Sequence, residues 1–322
     1  MTLRILALPV AISLLALAAF APVAAIADEF PVSVDHIYGP TIIPAAPVRV
    51  VTLGWMTQDI VADLGIIPVG TPKVTWGDDG TGLLPWFADT IAAIAPERSA
   101  LLSIDDGIPF EDILALDPDV ILAPMSGIDE NDFARLSSIA PTVAYEKSAW
   151  DGRWQDVTMT IGKALGKTAE AEQLIADTNA AVAAERAAHP EFADRTAIFS
   201  YIVPGSGIMH VYSPDASRVQ MLVDLGFSLP PEVSAATDGI DLSTERLATI
   251  DTDVLVAWHN EPEEIEYVKT DPVYSRYRPV AEGHYVGIAD PSMVMAVVAP
   301  SPSAIRWSLQ ILVNDLAEVL KN

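Results

Sequence analysis

The chain has 322 residues, no cysteine, and 18 basic against 44 acidic residues, which gives a formal net charge of −26 at pH 7. Disulfide bonds are therefore excluded, and so is the lipid-modified N-terminal cysteine that tethers some exported bacterial proteins to a membrane. The excess of negative charge opposes binding to nucleic acid or to anionic lipid, so we expect no nucleic-acid partner.

Residues 1–27 have the pattern of a secretory signal peptide. Arg4 precedes an apolar run from Ile5 to Phe20, and small residues stand just before Asp28. The apolar run is too short and too rich in alanine to be a convincing membrane span, and no later segment is apolar enough. We therefore expect an exported mature chain that begins near Asp28, is soluble rather than membrane-embedded, and is a monomer.

The first lobe, residues 28–165, alternates strands with helices. This alternation predicts an α/β fold with a mainly parallel sheet covered on both faces, Rossmann-like in layout but without a dinucleotide fingerprint. In chain order we predict a strand at 49–54, a helix at 57–64, a strand at 68–70, a long loop at 71–86, a helix that starts with Glu111, a strand at 119–123, a helix near 130–139, a strand at 142–145 and a helix at 154–165.

Residues 166–190 are predicted to form a long, rigid interdomain helix. Thr168 can cap it, apolar residues from Ala171 to Val182 recur at helical spacing, and His189-Pro190 ends it. Twenty-one helical residues span about 32 Å, and such a rod should restrict opening of the lobes to small angles. The second lobe, residues 191–322, restarts with a strand at 197–203 and ends in a helix at 303–320.

An ungapped internal repeat indicates that the two lobes are similar. Residues 110–123 align with residues 244–257, and each copy contains a helical turn that starts with a glutamate, an Asp-x-Asp turn and a buried apolar strand. The segments 61–65 and 222–226 both end a helical pattern in a glycine, which favours a left-handed C-cap. Two Rossmann-like lobes imply a cleft, and small ligands usually bind in clefts between domains.

Four motifs resemble the iron-siderophore substrate-binding proteins of ABC transporters. The motifs are Asp35–Gly39 leading to Ile43–Val51, the Glu-x-Ile-x-x-Leu-x-Pro-Asp segment Glu111–Asp119, Ser137–Val143 and Ile161–Gly166. They follow the family's order over nearly the whole mature chain. The resemblance implies a two-lobed protein that delivers a ferric chelate to an inner-membrane permease. A Gram-negative periplasm is the expected compartment, because an untethered binding protein would be lost from a cell with one membrane.

The resemblance also implies that Glu111 and Glu245 dock the protein onto its transporter. Members of the family place one exposed glutamate on each lobe, where it meets arginines of the permease. Here the corresponding residues head the two copies of the internal repeat. A helix-start carboxylate favoured by the helix dipole is the alternative explanation, but it does not explain why the same element occurs in both lobes.

Residues that follow predicted strands are candidates for the ligand site, because ligands of open α/β sheets lie beyond the carboxyl ends of the strands. A ferric siderophore already satisfies its iron, so the protein needs flat apolar walls and a few donors; no metal ligand or cofactor of its own is expected. Aromatic residues cluster at these positions. The predicted ligand-binding residues are Trp55, Trp76, Trp86, Ser126, Trp150, Tyr201, Arg218 and Trp258.

Arg218 is the predicted charged contact to the ligand. Ser217-Arg218 before the helix end at Gly226 resembles the segment that carries a siderophore-contacting arginine in relatives. A solvated helix-start arginine is the alternative. Some relatives hold catecholate chelates with three cleft arginines, whereas residues 124–126 and 258–260 contain none. The sequence therefore favours a hydroxamate, mixed or carboxylate siderophore.

Other functions remain open from the sequence alone. The family includes vitamin B12 and haem binders, and His210 or His259 with Tyr201 or Tyr212 could ligate haem iron or a bare cation. A ligand-sensing module that binds a partner protein would use the same fold. Enzymatic functions are disfavoured, because the chain has neither the nucleophile elbow nor the phosphate loop that would support them.

Overall fold

The computed structural model describes residues 29–78, 80–94, 99–150 and 152–321, so the predicted signal peptide lies outside the described residues. In the described ranges, none of the helices combines the length and the hydropathy that a bilayer crossing requires. The described chain forms two lobes, each built around a five-stranded sheet, and one small antiparallel hairpin.

The N-terminal lobe contains a fully parallel sheet. Its elements in chain order are β1 (Val32–His36), β2 (Gly39–Ile43), β3 (Val50–Gly54), α1 (Thr57–Asp63), β4 (Gly70–Pro72), α2 (Pro85–Ile94), β5 (Ala100–Leu102), α3 (Phe110–Ala115), β6 (Val120–Met125), α4 (Glu130–Ser137), β7 (Thr142–Val143) and α5 (Trp154–Leu165). The strand order is β5-β4-β3-β6-β7, and every neighbouring pair is parallel. Strand β6 is buried at all its positions because helices cover both faces, which explains its unbroken apolar sequence.

The remaining elements form the long helix and a mixed sheet. They are α6 (Thr168–Ala188), β8 (Ala197–Ile202), β9 (Ile208–Val211), α7 (Ser217–Asp224), α8 (Pro231–Ser234), β10 (Ile240–Ser243), β11 (Val254–Trp258), α9 (Pro262–Thr270), α10 (Arg278–Ala281), β12 (Tyr285–Ile288), α11 (Pro291–Val298) and α12 (Pro302–Val319), with short 3-10 helices at Pro190–Phe192, Thr244–Thr249 and Tyr274–Arg276. The strand order is β10-β9-β8-β11-β12. Strands β8, β11 and β12 are parallel, whereas β9 runs antiparallel to both of its neighbours.

The antiparallel pairing of β8 and β9 follows from the short loop that connects them. Residues 203–207 join β8 to β9, and a connection this short can only form a hairpin, since parallel strands need a crossover of a dozen or more residues. The predicted α/β fold with two Rossmann-like lobes and mainly parallel sheets is confirmed. The 71–86 segment differs from its predicted loop, because β4 extends to Pro72 and α2 starts at Pro85, so Trp86 lies on a helix.

The internal repeat has the same structural role in both lobes. The Asp119 carboxylate accepts hydrogen bonds from the backbone N–H groups of Val48 and Arg49, both at 2.8 Å, immediately before the central strand β3. At the equivalent repeat position, Asp253 accepts from the Thr196 N–H at 2.7 Å, immediately before the central strand β8. The backbone hydrogen bonds lower the pKa of Asp119. Asp119 and Asp253 therefore each hold the start of the central strand of their own sheet, β3 and β8 respectively.

The two lobes are joined in two places. The long helix α6 packs against α5 and α12, and α12, although it ends the C-terminal lobe, also packs on α1 and α2 of the N-terminal lobe. Asp63 accepts hydrogen bonds from Arg306 Nη2 at 2.6 Å and from the Ser303 backbone N–H at 3.0 Å. The C-terminal helix therefore links the lobes alongside α6, through contacts that lie far apart in sequence.

Candidate ligand-binding cleft

A cavity of about 260 Å³ lies at the carboxyl ends of β3, β4 and β5. Its floor includes Met56, Gln58 and Asp59 from the start of α1, and Trp55 and Trp76 stand beside it with about a third of their surface exposed. Two residues near the end of the C-terminal lobe complete the lining, which comprises Gly54, Trp55, Met56, Gln58, Asp59, Pro72, Lys73, Val74, Thr75, Trp76, Leu84, Ile104, Asp105, Met295 and Ala299. The cavity thus lies where ligands of parallel α/β sheets bind and is lined by both lobes.

The backbone at the end of β3 is shaped to present Trp55. Gly54 has a φ of 82°, and a side chain there would clash with the Met125 carbonyl of β6. The backbone N–H of Trp55 donates to the Met125 carbonyl at 2.9 Å. Met56 follows with a φ of 53°, a left-handed conformation that a non-glycine residue adopts at a cost. Such local strain is common at binding sites, and here it lies at the floor of the cavity.

Trp150 approaches Trp55 at the same edge of the sheet. Trp150 has a φ of 60°, and its backbone N–H donates to the Ser126 carbonyl at 3.1 Å. Gly127, which has no side chain, leaves the space that the Trp150 indole occupies. The Trp55 and Trp150 rings lie 5.1 Å apart at 45°. Ser126 is buried, and its hydroxyl donates to the Ala123 carbonyl at 2.8 Å, so this hydroxyl already has a protein partner.

Trp86 occupies a different position from the other predicted tryptophans. It is 3% exposed, and its indole Nε1 donates to Asp59 Oδ2 at 2.7 Å. The Trp307 ring of α12 packs against it at 5.3 Å. Trp86 therefore lies behind the cavity, where it supports Asp59 and the junction between the lobes.

The second aromatic wall belongs to the C-terminal lobe. Tyr201 of β8 and Trp258 of β11 are paired across the sheet, and their rings stack 4.1 Å apart at 11°. The Trp258 indole N–H donates to the Tyr212 hydroxyl at 2.9 Å, and the Asn260 amide donates to the Tyr201 hydroxyl at 3.1 Å. These hydrogen bonds fix the ring planes, so the wall is pre-organised for a flat apolar contact.

Arg218 lies next to this wall at the start of α7. Its guanidinium is 4.2 Å from the centre of the Tyr212 ring, and Nη2 donates to the Val298 carbonyl at 2.8 Å. Its Nε is buried and has no partner among the described residues. Burial lowers the pKa of the Arg218 guanidinium, with Tyr212 opposing the shift. A half-buried cation with no carboxylate partner in the described ranges is suited to an anionic acceptor that arrives with a ligand.

The two candidate histidines are engaged with protein groups. His259 is completely buried, its Nε2 is 2.5 Å from the Tyr285 hydroxyl, and burial lowers its pKa to about 4. His210 Nδ1 is 2.7 Å from Asp241 Oδ1. Within the described part of the chain, no group of three or more His, Cys, Asp or Glu side chains is arranged to hold a metal ion. His259 would have to leave its buried site to ligate haem iron or a cation.

Sequence reasoning missed Gln58 and Asp59. Both side chains line the cavity but are 6% and 1% exposed. Burial raises the pKa of Asp59 to about 7, although hydrogen bonds from Trp86 and Ser301 oppose the shift. The available signal was a carboxylate in the first turn of a helix that starts three residues after a buried strand, which is the edge where ligands bind.

The sequence profile of a family described as periplasmic binding proteins matches residues 50–291. The chain belongs to this family. Its fold is that of substrate-binding proteins, and the predicted membership of the ABC-transporter substrate-binding class is confirmed. One relative is the Fe(3+)-citrate-binding protein YfmC of Bacillus subtilis, which is 27% identical over 247 residues, 76% of this chain and 74% of its own length.

Solved structures of the family have the same architecture. The iron-uptake substrate-binding protein PiaA of Streptococcus pneumoniae is 30% identical and superposes with a TM-score of 0.81 over 90% of this chain and 99% of its own. Its complex with ferrichrome gives a TM-score of 0.82 at the same identity and coverage. Staphylococcus aureus SirA with staphyloferrin B, 24% identical, gives 0.68 over 90% and 98% of the two chains, which is a likeness of fold.

Membership of this family implies a transporter as partner, and the structure places both predicted docking residues at the surface. Glu111 lies in the first turn of α3, and Glu245 lies in the 3-10 helix Thr244–Thr249. Both side chains are exposed. The repeat thus presents one accessible carboxylate on each lobe, as a two-point contact requires.

Proposed function

We propose that this protein captures an intact ferric siderophore in the periplasm and delivers it to an inner-membrane ABC importer, with no cofactor or catalytic role of its own. The observation that carries the proposal is the occurrence of two aromatic walls together with one half-buried arginine, Arg218, whose buried Nε has no hydrogen-bond partner in the described residues. Aromatic faces suit the apolar body of a chelate, and the guanidinium suits its anionic oxygens.

The chemistry of the cleft narrows the class of chelate. Arg218 is the one arginine that the structure places against the described aromatic walls, which is too little positive charge for a tri-anionic catecholate. A hydroxamate chelate carries less charge and fits better, and mixed and carboxylate siderophores remain within the proposed class. The ferrichrome complex of PiaA, at 30% identity, and the ferric-citrate relative from Bacillus subtilis support this range.

A panel of ligands tests the proposal directly. The mature protein is titrated with hydroxamate, carboxylate and catecholate ferric chelates, with haem, cobalamin and free Fe³⁺, while tryptophan fluorescence and calorimetric heat are followed. Quenching is expected because Trp55 and Trp76 line the cavity and Trp150 packs against Trp55. Gallium chelates, which lack the iron absorption, control for optical quenching. Binding of bare metal, haem or cobalamin without binding of any ferric chelate would overturn the proposal.

The docking role of Glu111 and Glu245 gives a separate prediction. The double change Glu111→Ala with Glu245→Ala should slow uptake of the bound chelate into proteoliposomes much more than either single change, while affinity in solution stays constant. Each exposed ion pair is worth only about 0.2–1 kcal/mol, so two must be lost for a large effect.

A matched control removes the same charge elsewhere. Glu172 on α6 and Glu318 on α12 are also exposed, and the double change Glu172→Ala with Glu318→Ala should transport at the wild-type rate. Wild-type transport by the Glu111/Glu245 double variant would instead leave the two glutamates as ordinary helix-start residues.

A further inference from the structure

Two buried oxygen atoms at the floor of the cavity have no hydrogen-bond partner among the described residues. They are Oε1 of Gln58 and Oδ1 of Asp59. Both side chains line the cavity and are more than nine-tenths buried. The other carboxylate oxygen of Asp59 is occupied by Trp86 and Ser301, so the orientation of this side chain is fixed. A buried acceptor without a donor costs free energy, and a donor that reaches it recovers that cost.

The rest of the cavity determines which donor can reach these atoms. Trp55 and Trp76 supply apolar walls, and Met56 and Leu84 are buried apolar residues of the lining. Lys73 is the one cationic side chain among the lining residues, and it is exposed, as is Asp105. A carboxylate that entered the cavity would therefore meet no buried cation, only the Gln58 acceptor and the Asp59 carboxyl group.

The size of the cavity fits part of a ligand rather than all of it. Its volume of about 260 Å³ is below the roughly 300–1,000 Å³ of complete ligand pockets. Arg218 and the Tyr201–Trp258 stack belong to the C-terminal lobe, outside the lining of this cavity. The cavity therefore has room for one arm of a chelate and not for the whole ligand.

We propose that this cavity is a subsite for a hydrogen-bond-donating arm of the chelate, a hydroxyl, an amide N–H or an ammonium group, and that it excludes a free carboxylate. Gln58 Oε1 accepts from the arm, Asp59 Oδ1 also accepts from it when the Asp59 carboxyl is ionised, and the tryptophans contact the apolar stem of the arm. The assignment rests on the proposed function and narrows it, because it selects hydroxamate or mixed chelates with donor arms over carboxylate chelates.

The test adds variants to the ligand panel. Ferrioxamine B, which has an ammonium tail, and its N-succinyl derivative, which has a carboxylate tail on the same iron centre, join the panel.

For the best-binding chelate, Gln58→Leu should weaken binding at least about fivefold, because one buried hydrogen bond is lost. Gln58→Met replaces the leucine variant if that variant does not fold.

Gln173→Leu is the matched control, since Gln173 is exposed on α6 and its amide donates to Asp177. It should bind as the wild type does. Unchanged affinity in Gln58→Leu would mean that the two acceptors meet only water, and a best ligand whose arms are all free carboxylates would also overturn the subsite; the proposed function would stand in both cases. Absence of binding by every chelate would defeat the proposed function and the subsite together.

Discussion

At pH 8 the Asp59→Asn variant is expected to be more stable than the wild type by on the order of 1–3 kcal/mol in free energy of unfolding. Asp59 is 1% exposed, and burial raises its pKa from 3.8 to about 7. A shift of that size corresponds to roughly 4 kcal/mol of destabilisation once the carboxyl is ionised, at 1.36 kcal/mol for each pKa unit. The expected gain in free energy of unfolding on replacement by asparagine is smaller than this, because the amide N–H₂ must find partners and the amide oxygen accepts weaker hydrogen bonds from Trp86 and Ser301.

The same substitution should change the dependence of stability on pH. Between about pH 4 and pH 7 the folded protein keeps the Asp59 proton that the unfolded chain has lost, so its free energy of unfolding falls as the pH rises. Above about pH 7 both states are ionised at this residue, and the loss is complete. The difference in stability between Asp59→Asn and wild type should therefore be small near pH 4, grow up to about pH 7, and then become constant.

Urea unfolding of the ligand-free protein at several pH values measures this difference. Asp177→Asn, at an exposed aspartate on α6, is the control and should follow the wild-type curve. A constant difference between Asp59→Asn and wild type from pH 4 to pH 8 would contradict the prediction. It would mean that Asp59 acts only through its hydrogen bonds to Trp86 and Ser301.

Replacement of Arg218 by methionine should weaken binding of the cognate ferric chelate by about ten- to a hundredfold, the equivalent of roughly 1.5–3 kcal/mol for a charge-assisted hydrogen bond. Methionine retains much of the apolar stem, so the contact with Tyr212 is partly preserved and the lost group is the charged fork. The unliganded protein should lose little stability, because removal of a half-buried cation whose Nε has no partner in the described residues offsets the loss of the hydrogen bond to the Val298 carbonyl.

Arg135→Met is a close control for this experiment. Arg135 lies on α4 with its guanidinium 3.5 Å from the centre of the Phe110 ring, so the same substitution removes the same kind of cation–aromatic contact from a residue that is exposed and outside the cavity lining. Calorimetric titration of both variants with the best chelate separates the two sites. Equal affinity in Arg218→Met and wild type would make Arg218 a structural residue that ties α7 to Val298.

The cavity and the junction between the lobes share one residue, Asp59. Asp59 contacts Trp86 of the N-terminal lobe and Ser301 at the start of α12, and Asp59 also lines the cavity. A change that disturbs the junction therefore also moves the floor of the proposed subsite. For this reason Asp59 is the better position at which to test stability. Gln58, which does not hydrogen-bond to Trp86 or Ser301 in the described residues, is the better position at which to test ligand recognition.

Local patterns in the chain were sufficient to predict the order and type of most elements. The long helix α6 spans Thr168–Ala188, within the predicted range 166–190, because apolar spacing, a preceding glycine and a following proline are all local signals; its N-cap is Lys167 and not the predicted Thr168. The repeat likewise indicated two lobes before any contact was known. The rule that ligands bind beyond strand ends directed attention to Trp55, Tyr201 and Trp258, which the structure places at the carboxyl ends of β3, β8 and β11.

Contacts between distant residues decided the rest. Trp86 followed the same sequence rule as Trp76, yet packing against Trp307 buries it in the core, and no local pattern distinguishes the two. Asp59 meets Ser301 across 242 positions of sequence, which creates the buried carboxylate and the link between the lobes. The sequence by itself determined the family, the fold class and the order of elements, because periodicity and turn residues act locally. Only the tertiary structure decided which side chains face the cavity, because burial depends on elements that the chain brings together from both lobes.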